Sequence, residues 1–232
     1  MKEMLTNKIL TRLPDTEFVR LTPLLEPVSL SAGERLAEAG ETTRFIYFPE
    51  NSIISCHADM QDGKSTEVGM IGREGIAGLV SLLGARPASQ SLKVAVGGSA
   101  LKMRRQEFEL ALERSEALRR ALMAYAGEYL AQVSQRSACS TLHRTEQRLA
   151  VWLLMLADRL GAEAIEITHE RIANHLGVRR AGITEAAGEL QRRGFISYTR
   201  GCLRVVDRAG LESVACECYA ALSRAGSQPS FM

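Results

Sequence analysis

The chain changes texture abruptly after Met103, and that change constrains its fold more than any other feature. From about residue 24 to 103, short apolar runs alternate with turn residues: Val28-Ser-Leu30, Phe45-Ile-Tyr-Phe48, Ile53-Ile-Ser-Cys56, Glu67-Val-Gly-Met-Ile71, Leu92-Lys-Val-Ala-Val96 and Ala100-Leu-Lys-Met103. Between them stand Ala32-Gly33, Pro49-Glu-Asn51, Gln61-Asp-Gly63 and Val96-Gly-Gly98, and Asp62-Gly63 is a hairpin signal. Regular short strands between glycine turns predict a β jelly roll or barrel. Residues 105–160 instead hold no proline and a single glycine, Gly127, among strong helix formers. Ahead of both, 7–21 reads as a short lead-in helix closed by Thr22-Pro23.

A chain of 232 residues is long enough for two domains, and 46% apolar with 24% charged residues is ordinary for a chain with buried cores. The sequence has no uninterrupted apolar run long enough to span a bilayer, and its first residues lack the apolar core of a secretory signal. No membrane association is therefore expected. Five cysteines, Cys56, Cys139, Cys202, Cys216 and Cys218, include no Cys-x-x-Cys pair, which suits a reducing cytoplasm better than a disulfide framework.

The net charge of +2 is less informative than its distribution. Between 168 and 208, eight arginines (171, 179, 180, 192, 193, 200, 204 and 208) face four acids and no lysine. Arginine is the side chain that makes paired hydrogen bonds to phosphate and guanine. A merely solvated charged surface is the plainer alternative.

Within the helical span, Leu118, Leu122, Tyr125, Tyr129 and Val133 fall on one stripe at 4-3-4-4 spacing. The stripe fits packing against the chain's own β domain, or a seam joining two copies of the chain. Arg148 to Ala157 is apolar nearly all round and predicts a buried helix, with Trp152 as core. Cys216 and Cys218, two apart on an expected helix, would not face each other, and no metal-ligand spacing stands out.

Residues 165–206 read as one compact unit. Ile165-Glu-Ile-Thr168 is a short strand, and Thr168 can cap a helix from His169 to Leu176, although Arg171 rules out a capping box. Gly177 provides a tight turn. A second helix from Arg179 to Arg193 buries Ile183, Ala187 and Leu190, leaving Arg180, Ala181, Thr184, Glu185 and Gly188 on other faces. Gly194 ends it, and 195–198 with 202–206 form a two-stranded wing about Thr199-Arg-Gly201. This order is a winged helix-turn-helix, whose second helix fits a major groove.

The run Ile172-Ala-Asn-His-Leu-Gly-Val-Arg-Arg-Ala-Gly-Ile-Thr-Glu-Ala-Ala187 resembles the helix-turn-helix of Crp/Fnr-type bacterial transcription regulators. The likeness continues through 190–198, Arg200-Gly201, Leu211-Glu212 and Cys216-Glu-Cys-Tyr219. It implies an α+β chain with three parts: an N-terminal β jelly-roll sensor (1–110), a central dimerisation helix (111–140) and a C-terminal winged helix-turn-helix (141–232). It implies a cytoplasmic homodimer with Leu118, Leu122, Tyr125, Tyr129 and Val133 at its interface, double-stranded DNA with a palindromic operator as partner, and RNA polymerase as a further one. The base-reading positions fall on Arg180, Ala181 and Glu185, with Thr184 beside them. Ala181 stands where many relatives have glutamate and Glu185 where many have arginine, so the family's usual half-site does not transfer. Arg179, Arg200 and Arg204 are phosphate candidates.

The family's β domain often binds a cyclic nucleotide through Gly-Glu and a later Arg-Ser or Arg-Thr. Here Gly78 is followed by Leu79, and Gln90-Ser91, within Ala88–Lys93, stands near the arginine's place. Gly78, Leu79, Gln90 and Ser91 are the effector candidates, and the missing arginine argues against ordinary cyclic AMP. Lys93 is a possible substitute, and Gly72-Arg-Glu-Gly75 is an anion loop or a plain turn. Cys56 alone cannot hold an iron–sulfur cluster, and His57 is a single histidine without a haem partner. No cofactor or catalytic group is expected, since no paired carboxylates, nucleophile elbow or phosphate loop occur. The alternative is a ligand-binding signalling module acting through protein contacts.

Overall fold

The computed structural model describes residues 2–84, 89–161 and 164–225. Ala88 lies outside these described residues. The chain forms two compact units, one of Met1–Asp59 with Gly69–Leu130 and one of Met60–Val68 with Ala131–Met232.

The lead-in is two helices, α1 (Lys8–Thr11) and α2 (Asp15–Leu21), where the sequence suggested one. Pro14 has no N–H to continue the first helix and instead stands at the N-cap of the second. Asn7 caps α1 by accepting from the amides of Ile9 and Leu10.

Among the described residues seven strands follow: β1 (Glu26–Leu30), β2 (Arg35–Ala37), β3 (Phe45–Pro49), β4 (Ile53–Asp59), β5 (Ser65–Ile71), β6 (Gln90–Val96) and β7 (Gly98–Arg104), with the short helix α3 (Leu79–Leu82) after β5. They make a three-stranded sheet ordered β1-β7-β3 and a four-stranded sheet ordered β2-β6-β4-β5. Six strands lie on the apolar runs seen in the sequence. The short β2, with polar Arg35 at its start, gave no such signal. The Asp62-Gly63 turn closes the β4–β5 hairpin, with Gly63 left-handed at φ +82° and the Met60 amide donating to the Lys64 carbonyl. Phe48, Ile46, Ile53, Ile54, Met70 and Met103 are fully buried, and Phe48 meets Phe108 edge to face at 5.9 Å.

After β7 come α4 (Arg105–Arg114) and the long α5 (Glu116–Leu142). Leu118, Leu122, Tyr125 and Tyr129 are buried within the single chain, and Val133 is half-buried. Tyr125 lies on Gly75 and Tyr129 on Gly69, so close that a Cβ at position 69 would stand 2.7 Å from a Tyr129 ring carbon. The sequence left two partners open for this stripe. Its upper four members are buried within the one chain, and Tyr125 and Tyr129 lie on glycines of the chain's own β unit. The physical reason is the pair of glycines, whose missing side chains make room for two aromatic rings.

In the second unit, α6 (Thr145–Leu160) is the hydrophobic axle: every residue from Leu149 to Leu156 is buried. Around it stand β8 (Ala164–Glu166), α7 (His169–Leu176), α8 (Arg180–Arg192), β9 (Ile196–Thr199), β10 (Cys202–Val205), α9 (Arg208–Val214) and α10 (Cys218–Ala225). Ile172, Ile183, Leu190, Leu203 and Leu211 complete the core at 0% exposure. Each such side chain contributes about 1.5–3 kcal/mol on burial. Cys216 precedes α10 and Cys218 begins it, so the two do not share a helix as the sequence suggested.

Candidate nucleic-acid interface

Local rules position the recognition segment. Thr168 caps α7 by accepting from the Arg171 amide, and Gly177 ends that helix in the left-handed region at φ +63°. The chain then turns into α8, which buries Ile183, Ala186, Ala187 and Leu190. The opposite face presents Ala181, Thr184, Glu185 and Gly188 to solvent at helical spacing. Arg180 is the first residue of α8 and Arg179 its N-cap, both exposed.

The start of α8 lacks a side-chain cap. Serine, threonine or aspartate ordinarily fills that place and consumes a free amide. An arginine there leaves the helix's positive end open and adds a cation, a ready anion site. The wing matches it. Strands β8, β10 and β9 form one sheet, with Thr199 paired to Cys202 and Arg204 to Ser197. The two-residue turn between β9 and β10 holds Arg200 at φ +51° and Gly201 at φ +82°, a type I′ geometry. Arg200 is the only non-glycine with positive φ among the described residues, so the wing tip keeps an arginine where asparagine would fit at less cost.

Charge pairing separates the arginines into two groups. Arg192 pairs with Glu189, Arg193 with Glu146 at 3.4 Å, and Arg208 with Asp158 and Glu212 at 2.7 and 2.8 Å. Among the described residues, Arg179, Arg180, Arg200 and Arg204 have no such partner. Glu185 likewise holds no neighbouring arginine. These five ends remain available to a ligand.

His169 was not singled out from the sequence. Its ring stacks on Tyr198 of the wing at 4.2 Å, and its Nδ1 lies 3.2 Å from the Thr184 hydroxyl, which also donates to the Arg180 carbonyl. Burial, with the Arg180 charge adding to it, holds the imidazole below its usual range and therefore neutral at neutral pH. The Gln191 side chain accepts from the Tyr198 amide at 2.9 Å, and the Tyr198 hydroxyl donates to the Ile167 carbonyl. Recognition helix and wing are thus tied at fixed spacing. Thr184, expected as a base-reading neighbour, has its hydroxyl engaged inside the protein.

A second constellation also escaped the sequence. Glu67, in the hairpin segment of this unit, has a fully buried side chain, 2.7 Å from Arg136 and 2.9 Å from His175. Trp152 donates its indole N–H to Glu67 at 3.3 Å and stacks on His175 at 5.3 Å. A buried carboxylate persists only when paired this completely. The signal available was an acid opening the otherwise apolar run Glu67–Ile71. Beside it lies a cavity of about 530 Å³, lined among others by Glu67, Arg136, Arg148, Trp152 and His175.

The effector candidates lie in the first unit. Gly78 is left-handed at φ +106° and starts α3, where Leu79 is buried. Thr43, Cys56, Ile71, Gly78, Leu79, Ser81, Gln90 and Tyr129 enclose a space of only about 10 Å³, roughly one water. The Thr43 and Ser81 hydroxyls bond across it at 2.7 Å. Ser91 lies on β6 opposite His57 and does not line this space, although its neighbours Gln90 and Leu92 do. No cationic side chain lines the space among the described residues, and Lys93 instead lies 3.9 Å from Asp59. Among the described residues, this space therefore supplies neither the cation a cyclic phosphate needs nor the some hundreds of Å³ of a nucleotide pocket. Gly72–Gly75 is a turn, with the Gly75 amide donating to the Gly72 carbonyl.

Comparison with known proteins places both units. The profile of the cyclic nucleotide-binding domain matches residues 27–115, and that of the Crp-like helix-turn-helix domain matches residues 147–214. The CRP-like cAMP-activated global transcriptional regulator of Mycobacterium tuberculosis is 23% identical over 183 residues, covering 76% of this chain and 82% of that protein. The transcriptional regulator SdrP of Thermus thermophilus is 28% identical over 100 residues, 40% of this chain and half of that protein's length. Among solved structures, FixK2 from Bradyrhizobium japonicum superposes with a TM-score of 0.70 at 16% identity, covering 83% of this chain and 98% of that one. A transcriptional regulator of the CRP/FNR family from Thermus thermophilus gives 0.67 at 22% identity, covering 82% and 98%. At such identities the superpositions establish the fold. No helix among the described residues is long and apolar enough to cross a membrane.

Proposed function

The chain belongs to the Crp/Fnr-type DNA-binding transcription regulators, and on that premise we propose that it acts in the cytoplasm as a homodimer on a palindromic operator. Each protomer lays α8 in a major groove, and two-fold symmetry sets the half-sites about 34–36 Å apart. Arg180 reads a guanine, and Glu185 accepts from a cytosine amino group. Arg179, Arg200 and Arg204 hold phosphates, with Ala181 leaving room for a base edge. The observation that carries this reading is the set of four unpaired arginines at the uncapped start of α8 and on the wing. RNA polymerase is the proposed further partner, and no catalytic step is assigned to the chain.

The seam between protomers runs along the outer face of α5. Met123, Gly127, Leu130 and Ser134 are exposed at 4-3-4 spacing, and Met123 and Leu130 are 64% and 67% exposed. That is the spacing of a two-stranded coiled coil, on the side away from Tyr125 and Tyr129. The effector reading is narrower. The buried oxygens of Gln90 and Ser91 lack a hydrogen-bond partner among the described residues, which supports a small uncharged polar effector over a cyclic nucleotide. Any signal that shifts the hairpin bearing Glu67 also loads α7 through His175.

The decisive experiment selects duplexes from a random pool and measures mass in solution. The expected result is a palindrome bound by a dimer, with Leu130→Arg giving a monomer that no longer prefers it. A wild-type monomer that binds scrambled duplex equally well overturns the proposal.

A further inference from the structure

Away from the DNA face, the second unit gathers three thiols and an imidazole. Cys139, His143, Cys216 and Cys218 bring their ligand atoms within 4.8 Å of one another. Cys139 lies in the last turn of α5 and His143 is the first residue beyond it, its amide donating to the Cys139 carbonyl at 3.2 Å, so both stand at the same end of the helix. Cys216 and Cys218 flank the turn into α10, where the change from loop to helix lets alternate residues aim at the same point. The Cys139 and Cys216 sulfurs are 3.6 Å apart, and the Cys218 sulfur is 3.6 Å from His143 Nδ1. Zinc–sulfur bonds of about 2.3 Å at tetrahedral angles set ligand atoms about 3.7 Å apart, close to the spacing observed.

The surroundings are those of a metal centre too. His143 Nε2 lies 3.2 Å from the Glu217 carboxylate, leaving Nδ1 as the ligating nitrogen in a carboxylate–histidine–metal arrangement. Gln135 donates to the Cys218 sulfur at 3.0 Å. All three cysteines are at most 6% exposed. A Cys₃His set of thiolates on a divalent ion carries one net negative charge, and Arg148 lies within electrostatic reach of the Cys139 and Cys216 sulfurs.

We propose that Cys139, His143, Cys216 and Cys218 form a structural zinc site that pins the segment following the winged helix-turn-helix to the end of α5. All four protein ligands are present, so the site is closed and assigned no catalytic role. The ligands arrive as two close pairs, with Cys139 and Cys216 77 residues apart along the chain. The bound ion therefore closes a loop around the whole recognition unit. The site does not depend on how the protein reads DNA.

The test uses the full-length protein purified under reducing conditions without chelator. After equilibration with zinc and gel filtration, about one zinc per chain is expected by elemental analysis. Loading with Co²⁺ should give the intense visible absorption of tetrahedral sulfur-rich cobalt. Cys139→Ser should lose at least 90% of the bound zinc. His143→Ala, which keeps three thiols, should retain weakened zinc that a competing chelator removes at least 10-fold faster. Circular dichroism on both variants separates metal loss from misfolding. Less than a tenth of an equivalent of zinc in the folded wild type, a six-coordinate cobalt spectrum, or a folded Cys139→Ser that holds zinc as tightly as wild type each overturns the site.

Discussion

Replacing Arg200 with asparagine should push stability and DNA affinity in opposite directions. Arg200 sits at φ +51° in the wing's two-residue turn, ahead of Gly201 at φ +82°. It is exposed and has no ion pair among the described residues, so the substitution removes no contact in the free protein. Asparagine tolerates the left-handed region and makes Asn-Gly, the favoured type I′ sequence, for an expected gain of about 0.5–1 kcal/mol. Urea unfolding followed by the fluorescence of Trp152, the only tryptophan and 1% exposed, reads this directly. On DNA the variant loses one phosphate contact per protomer, lowering the salt slope of a dimer by about 1.8. Between 50 and 200 mM salt, wild-type affinity should therefore fall about 12-fold further than the variant's, on specific and scrambled duplex alike. Fluorescence anisotropy across that range measures it. A variant that is less stable, or one with an unchanged salt slope, refutes the assignment of Arg200 as a strained phosphate contact.

Three other outcomes follow from the same geometry. Arg180→Ala should cost about 1–3 kcal/mol on the selected operator and little on scrambled duplex, in the same anisotropy assay. Glu67→Gln leaves Arg136 and His175 facing a neutral amide where a buried carboxylate had been, and urea titration should register a loss of about 3–5 kcal/mol. Gly75→Ala drives a methyl into the Tyr125 ring and should cost about 1–3 kcal/mol of stability without altering the operator preferred.

Much of the recognition unit was legible because its signals are local. Thr168, Gly177 and Gly194 punctuate the helices, and Ile183, Ala187 and Leu190 give the helical period. The bounds His169–Leu176 and Arg180–Arg192 depart from the sequence reading by at most one residue. The lead-in departs from it at Pro14, where a local stop overrides the helical period. The stripe of α5 shows a different limit. Periodicity identifies an apolar face and not what covers it, and the glycines that receive Tyr125 and Tyr129 are fifty and sixty residues away in the chain.

The order of a β unit, a long helix and a winged helix-turn-helix was set by composition and turn chemistry, because strand and helix periods and glycine turns are short-range properties. Which arginines stay unpaired, how Glu67 is neutralised, and that two distant Cys and His pairs meet were decided by tertiary structure alone. Charge pairing and ligand geometry depend on distances between side chains, and only packing brings those side chains together.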